Sequence, residues 1–260
     1  MKIQAELLLF VLLTTALVNP VLADKKGYEI AKKSDTLDNG WKDSTSTLVM
    51  ILRDRQKREV TRKIRNKTME VPGDGDKTLI VFDAPRDLKG TKFLSYTHVN
   101  RPDDQWLYLN SLKRVKRISS NNKSGPFMGS EFAYEDVASQ ELDKYEYKYL
   151  GDEKVNGIDC YKLELTPTYK YSGYNKMIAW YNKKTYRVVK IDYYDRKDAL
   201  LKTLTFSGYR KYLGKYYRAD KMEMVNHQTG KSTVLLYKNY KFGNGFDDSD
   251  FDLNALRRAR

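Results

Sequence analysis

The chain has 260 residues and a single cysteine, Cys160, which excludes a small scaffold held together by internal disulfide bonds. Its 48 Lys and Arg residues outnumber its 34 Asp and Glu residues, and the net charge of +14 favours an anionic partner such as nucleic acid, a membrane surface or an acidic protein. A short basic start, an apolar run and a small residue at Ala23 predict a cleavable secretory signal over residues 1–23. Export argues against nucleic acid as the partner.

One helix is predicted near the start of the mature chain, over residues 28–38, because Asn39-Gly40 supplies a stop signal. The sequence then changes to a two-residue period, which is typical of strands. In residues 44–52 this alternation places Ser46, Leu48, Met50 and Leu52 on one face, which we expect to point inward. Further strands are predicted at 57–69, 77–82, 90–99 and 105–109, and residues 119–136 are expected to be irregular.

A long antiparallel meander is predicted over residues 145–240, with a hairpin turn at Asn156-Gly157. Turn signals recur along this part of the chain at spacings of about 8 to 12 residues, which indicates an antiparallel sandwich or barrel. No linker divides the sequence, so we expect residues 24–260 to form a single domain. The predicted strands are 158–166, 176–181, 187–194, 199–209, 216–226 and 232–240.

Catalytic and metal-binding motifs are not evident. The two histidines, His98 and His227, do not fit a metal-ligand spacing, and the sequence has neither a nucleophile elbow nor a phosphate-binding loop. The acidic residues 247–252 lack the spacing of a calcium loop and are interpreted as a solvated turn. We therefore expect a binding protein that is not an enzyme and that holds no metal or cofactor.

The most informative stretch runs from Asp103 to Asp136. It contains an aromatic strand, DDQWLYL, a basic strand, LKRVKRI, and a glycine-rich loop, SGPFMGSEFAYED. This stretch resembles the outer-membrane lipoprotein-sorting protein family, the LolA-like periplasmic carriers. Asn110-Ser111 stands where the family pattern has Pro-Ala, and Pro126 where it has Ser.

The resemblance implies a half-open antiparallel β-barrel with helices that close its mouth and an apolar concavity that receives acyl chains. It implies a periplasmic carrier that works between an inner-membrane exporter, of the resistance-nodulation-division (RND) type in this branch, and an outer-membrane acceptor. The cargo is left open between a lipoprotein and a free lipid.

Ten residues are candidates for the lining of the acyl-binding cavity, and Phe127 and Met128 among them are expected on a movable lip. A basic row in the second strand of the stretch is a candidate for contacts with lipid head groups or an acidic partner. The cavity candidates are Leu48, Met50, Leu52, Ile80, Phe82, Phe93, Trp106, Tyr108, Phe127 and Met128, and the basic row is Lys113, Arg114, Lys116 and Arg117.

Two other classes of function stay open on the sequence alone. A secreted enzyme acting on envelope polymers would need a polar cleft with converging carboxylates. A structural protein that binds the envelope through charge alone would lose its binding when salt is added. Burial of an acyl chain would not depend on salt in this way.

Overall fold

The computed structural model describes residues 24–258, so the predicted signal lies outside the described residues. The first helix starts three residues earlier than predicted, because the side chain of Asp24 accepts a hydrogen bond from the amide of Lys26 and caps it. It ends before Asn39 and Gly40, as predicted, and the positive φ of Gly40 turns the chain into the first strand. The helices are α1 (Lys25–Asp38) and α2 (Leu253–Arg258).

Within residues 24–258, thirteen strands form one antiparallel sheet, and the predicted strands are confirmed with shifts of a few residues at their ends. The strands are β1 (Asp43–Arg53), β2 (Glu59–Met69), β3 (Lys77–Ala84), β4 (Lys92–Tyr96), β5 (Asp104–Leu109), β6 (Arg114–Ile118), β7 (Tyr145–Val155), β8 (Ile158–Pro167), β9 (Tyr174–Asn182), β10 (Val188–Asp195), β11 (Leu200–Tyr212), β12 (Tyr216–Asn226) and β13 (Ser232–Phe242).

The order of the strands makes the sheet an open barrel. It runs β6-β5-β4-β3-β2-β1-β13-β12-β11-β10-β9-β8-β7, so the first and last strands of the chain meet in the middle and β6 and β7 form the two edges. Within the described residues these edges are not paired with each other. The half-open antiparallel barrel expected from the sequence is therefore confirmed.

The concave face carries the main core, and the inward direction predicted for β1 is correct, because Ser46, Leu48 and Met50 are buried. A smaller cluster lies on the outer face of β3, β4 and β5. There Phe251 and Leu256, from the C-terminal segment, pack on Leu79 and Leu94. Both faces of these strands are consequently covered.

The helices do not both close the barrel. α1 packs against β7 and lies on the concave side, where Ile30 and Ala31 join the core. α2 lies instead with the outer cluster, through Leu256, so the expectation that the helices close the mouth is correct only for α1. No helix within residues 24–258 combines the length and the apolar character needed to cross a membrane.

Candidate ligand-binding cavity

The concave face is covered on one side by residues 119–144, here called the cover segment. This segment is irregular apart from short 3₁₀ turns, as the sequence predicts for its first part. Its Phe127 is buried against the rings of Phe82 and Phe93, with ring centroids 6.1 and 5.1 Å away, and against its own Tyr134 at 5.4 Å. Aromatic packing thus anchors the cover segment over β3 and β4.

A buried ion pair ties the cover segment to the opposite half of the barrel. Lys202 on β11 donates to Asp136 over 2.6 Å and to the carbonyl oxygen of Glu131 over 2.9 Å. Asp136 also accepts a hydrogen bond from the hydroxyl of Tyr174 over 2.7 Å. Both charged groups are almost wholly buried, so each charge is compensated only by its partner. The ion pair therefore fixes this part of the cover segment.

The neighbouring Glu135 ties the cover segment to the β8–β9 loop. Its carboxylate accepts hydrogen bonds from the amide of Gly173 and from the hydroxyls of Tyr169 and Ser172. Burial, reinforced by the charge of Asp136, nevertheless raises the pKa of Glu135.

A cavity of about 310 Å³ remains between the cover segment and strands β1–β3 and β10–β13. This is the size of a small-ligand pocket, for which about 300 to 1,000 Å³ is typical. Most of its wall is apolar, with a few hydroxyl and amide groups and the carboxylate of Asp136. The apolar wall is made by Leu48, Met50, Ile64, Ile80, Phe127, Phe132, Val137, Ile191, Leu204, Phe206, Met222 and Leu235.

A wider cavity of about 850 Å³ adjoins it and is here called the mouth. The two share Ile191, Phe206 and Met222, so the apolar cavity continues into the mouth. The mouth is bounded by α1, the β2–β3 turn, residues 139–143 of the cover segment and the β11–β12 hairpin. A ligand with an apolar tail and a polar end therefore fits the two cavities, with its tail in the apolar cavity and its polar end in the mouth.

Acidic side chains from α1, the β2–β3 turn and the cover segment line the mouth, and this set is here called the acidic rim: Asp35, Glu70, Asp74, Asp76, Glu141 and Asp143. Burial raises the pKa of Asp76 to about 7, although the hydroxyl of Ser139 donates to it over 2.7 Å and acts in the opposite direction. Burial also raises the pKa values of Asp35 and Glu141. The rim thus concentrates carboxylates at a site of reduced hydration.

The structure brings four of the ten predicted cavity residues to the apolar cavity: Leu48, Met50, Ile80 and Phe127. Four others, Leu52, Phe82, Phe93 and Met128, also belong to the concave core but do not line the cavity. Phe82 and Phe93 are fully buried, because Phe127 packs on them.

Phe127 and Met128, the predicted movable lip, are held in place by contacts with the barrel. Phe127 is 1% exposed, and Arg62 on β2 donates to the carbonyl oxygen of Met128 over 2.6 Å. Met128 adopts a positive φ of 51°, which turns its carbonyl toward this guanidinium. In this structure Phe127 and Met128 are therefore part of the packed cover.

Trp106 and Tyr108 do not belong to the cavity, in contrast to the prediction. They lie in the outer cluster with Phe251 and Leu256, on the face of β5 opposite the barrel interior. The alternation in β5 correctly predicts a strand. Both faces of this strand are buried, however, so the sequence pattern does not distinguish the inner face from the outer one.

The predicted basic row lies outside both cavities. Lys113 donates to Asn110 in the β5–β6 turn over 2.7 Å, and Arg117 forms an ion pair with Asp104. Arg114 and Lys116 are exposed on the edge strand β6. Arg114 and Lys116 share the face of β6 that carries the buried Ile118, so they lie at the exposed edge of the concave face, apart from both cavities.

The sequence analysis missed the part of the cavity wall that comes from β10–β13, as well as Ile64, Phe132 and Val137. The missed residues include Ile191, Leu204, Phe206, Met222 and Leu235. Alternation in β11, where Leu204 and Phe206 are separated by Thr205, is the signal that could have identified part of this wall. Within residues 24–258, His, Cys, Asp and Glu form no group of three or more suited to a metal ion.

Comparisons with known proteins identify close relatives. A model of a family described as uncharacterized matches residues 74–258, which is more than half of the chain. An outer membrane lipoprotein-sorting protein domain from Vibrio parahaemolyticus is 56% identical, with 90% of this chain and 99% of that chain covered and a TM-score of 0.88. A DUF1329 family protein from Desulfovibrio piger is 35% identical, with coverage of 89% and 98% and a TM-score of 0.85.

A more distant structure supports the fold. A LolA superfamily protein from Nitrosomonas europaea is 21% identical, with coverage of 88% and 98% and a TM-score of 0.72. No curated protein matches the chain. Together with the two closer structures, this similarity confirms the family resemblance that residues 103–136 indicated.

Proposed function

The chain belongs to the DUF1329 family, and we propose that it is a periplasmic carrier of acyl chains. It takes an acylated lipoprotein or a free lipid into the barrel and shields the acyl chain from water on the way to the outer membrane. The single observation that carries this proposal is the apolar cavity beneath the cover segment, which opens into the mouth.

The energetics of acyl burial favour such a cavity. An acyl chain of about 16 carbons gains on the order of 12 kcal/mol when it leaves water, at about 0.8 kcal/mol per CH₂ group. A carrier must recover most of this free energy and still release its cargo. Walls without many directional bonds suit both needs, and Met50 and Met222 can repack around chains of different shape.

The partners follow from the same role. An inner-membrane exporter supplies the lipoprotein or the free lipid, and for a free lipid we propose an exporter of the RND type. An outer-membrane acceptor receives either cargo. The exposed basic residues Arg114 and Lys116 on β6 are our candidates for contact with an acidic surface of one of these partners.

Titration with a dansyl-labelled fatty acid tests the carrier function. We expect saturable fluorescence enhancement that persists at high salt, because apolar burial is not screened by ions. Met222→Glu places a charge in the wall shared by the cavity and the mouth, and it should weaken binding at least tenfold.

The matched control is Val225→Glu, which lies on the same strand but on the exposed side. It should bind the probe like the wild type. Binding that disappears with added salt, or equal effects of both variants, would contradict acyl burial and favour a protein that binds the envelope through charge alone.

A further inference from the structure

Two arginines in the mouth share a single carboxylate. Nη1 of Arg187 lies 3.1 Å from Oδ1 of Asp38, and Nη1 of Arg218 donates to the same oxygen over 2.6 Å. All three residues line the mouth. One negative charge is thus matched by two positive charges, which leaves this group of three side chains with a net positive charge.

The donors of these two guanidinium groups are not fully used. A guanidinium carries five N–H donors. Arg187 is 8% exposed, and its Nε is buried without a hydrogen-bond partner among the described residues. Buried donors in folded proteins normally have acceptors, so the unpaired Nε shows that the hydrogen bonding of this guanidinium is incomplete.

Aromatic rings hold both arginines in place. Cζ of Arg187 lies 5.8 Å from the ring centroid of Tyr217, and Cζ of Arg218 lies 5.4 Å from the ring of Trp41. Tyr217 and Trp41 line the mouth as well. A pair of arginines fixed in this way loses little freedom when it binds a planar or tetrahedral oxyanion.

The rest of the mouth has the opposite charge. The acidic rim contributes six carboxylates to the same cavity. A ligand with only negative charge would be repelled by the rim, and a ligand with only positive charge would leave the arginines unsatisfied. A head group that carries both charges satisfies both sides.

We propose that the mouth binds a zwitterionic phospholipid-type head group, with the phosphate at Arg187 and Arg218 and the ammonium group at the acidic rim. The acyl chain then continues past Ile191 and Met222 into the apolar cavity. This inference rests on the proposed carrier function and adds the chemical class of the cargo.

Four amphiphiles with the same dodecyl chain test the inference, each below its micelle concentration. They are dodecylphosphocholine, dodecyl phosphate, dodecyltrimethylammonium and dodecyl maltoside, and their affinities are measured by displacement of the dansyl-labelled fatty acid. We expect dodecylphosphocholine to bind at least tenfold more tightly than each of the other three.

Substitutions of the two arginines test whether they bind the phosphate group. Arg218→Gln should weaken dodecylphosphocholine binding about tenfold and leave dodecyl maltoside binding unchanged, and Arg187→Gln should do the same. Arg210→Gln is the matched control, since Arg210 lies on the same hairpin, is exposed and pairs with Asp220 outside the cavities. It should not change any of the four affinities.

The outcomes separate the two proposals. Equal affinities for dodecyl maltoside and dodecylphosphocholine would overturn the head-group inference and leave the carrier function standing. Tighter binding of dodecyl phosphate or of dodecyltrimethylammonium would likewise overturn it. Failure of all four amphiphiles to bind would contradict the carrier function and, with it, the inference.

Discussion

Lys202 and Asp136 form an ion pair with an N–O distance of 2.6 Å, in which both side chains are buried. The pair joins β11 to the cover segment. Removing one partner leaves the other charge buried without compensation. We expect Lys202→Met to lower the free energy of unfolding by about 3–5 kcal/mol. Urea denaturation measures this loss.

A double-mutant cycle separates the pair from its surroundings. Asp136→Asn in the Lys202→Met background should restore part of the lost stability, with a coupling energy of about 1–3 kcal/mol. Additive losses from the two substitutions would show that the two side chains act independently.

Arg62 is expected to control the opening of the cover segment, because its guanidinium donates to the carbonyl oxygen of Met128 over 2.6 Å. A hydrogen bond from a charged donor contributes about 1.5–3 kcal/mol. Arg62→Met should therefore speed amide hydrogen exchange in residues 125–134 about tenfold or more. Lys63→Met, at the next and exposed position of β2, should leave that exchange unchanged.

The pH dependence of stability should depend on Asp76. Its folded pKa of about 7 lies above the ordinary value of 3.8 for an aspartate, so folding favours the protonated form. The cost of burying the carboxylate is absent below about pH 4, grows between about pH 4 and 7, and is fully present at pH 8.

Asp76→Asn removes this charge and keeps an oxygen that can accept the hydrogen bond from Ser139. We expect the variant to be more stable than the wild type at pH 8, by up to about 4 kcal/mol at about 1.36 kcal/mol per pKa unit, and equally stable at pH 3.5. Thermal unfolding across this range checks the sign. A variant that is less stable at pH 8 would show that ionised Asp76 is favourable in the fold.

Leu213 at the tip of the β11–β12 hairpin combines two unfavourable features. It is 69% exposed, and its φ of 48° lies in the left-handed region that β-hairpin turns normally fill with Asn or Asp. The β7–β8 hairpin provides the comparison within the same chain, since Asn156 has the same φ of 48° and is also followed by Gly.

Leu213→Asn is therefore expected to stabilise the protein by about 1 kcal/mol. Asn156→Leu should destabilise it by a similar amount. Urea midpoints of the two variants, measured side by side, check the opposite signs, and a shift in the same direction for both would refute the turn argument.

Much of the fold could be predicted because local patterns are strong. The alternation in β1 correctly places Leu48 and Met50 inside, since the outer side of this strand is only half-buried. Asn156-Gly157 correctly marks a hairpin because both residues adopt positive φ values.

The remaining part depends on contacts between segments that are distant in sequence. The sequence predicts Trp106 and Tyr108 as cavity residues, because the alternation in β5 does not distinguish its inner face from its outer one. Their outer face is covered by Phe251 and Leu256, more than a hundred residues later in the chain. The arginine pair was missed for the same reason, because Asp38, Arg187 and Arg218 meet only when α1 packs on the open side of the barrel.

Native mass spectrometry of the mature protein, purified without detergent from the envelope of its own host, tests the carrier proposal most directly. We expect adducts whose masses correspond to a lipid or lipoprotein, and extraction should yield acyl chains in amounts close to those of the protein. The same preparation of Met222→Glu should contain far less acyl material. A wild-type protein that is free of acyl adducts, and that takes up none from phospholipid vesicles, would contradict the proposal that this barrel carries acyl chains.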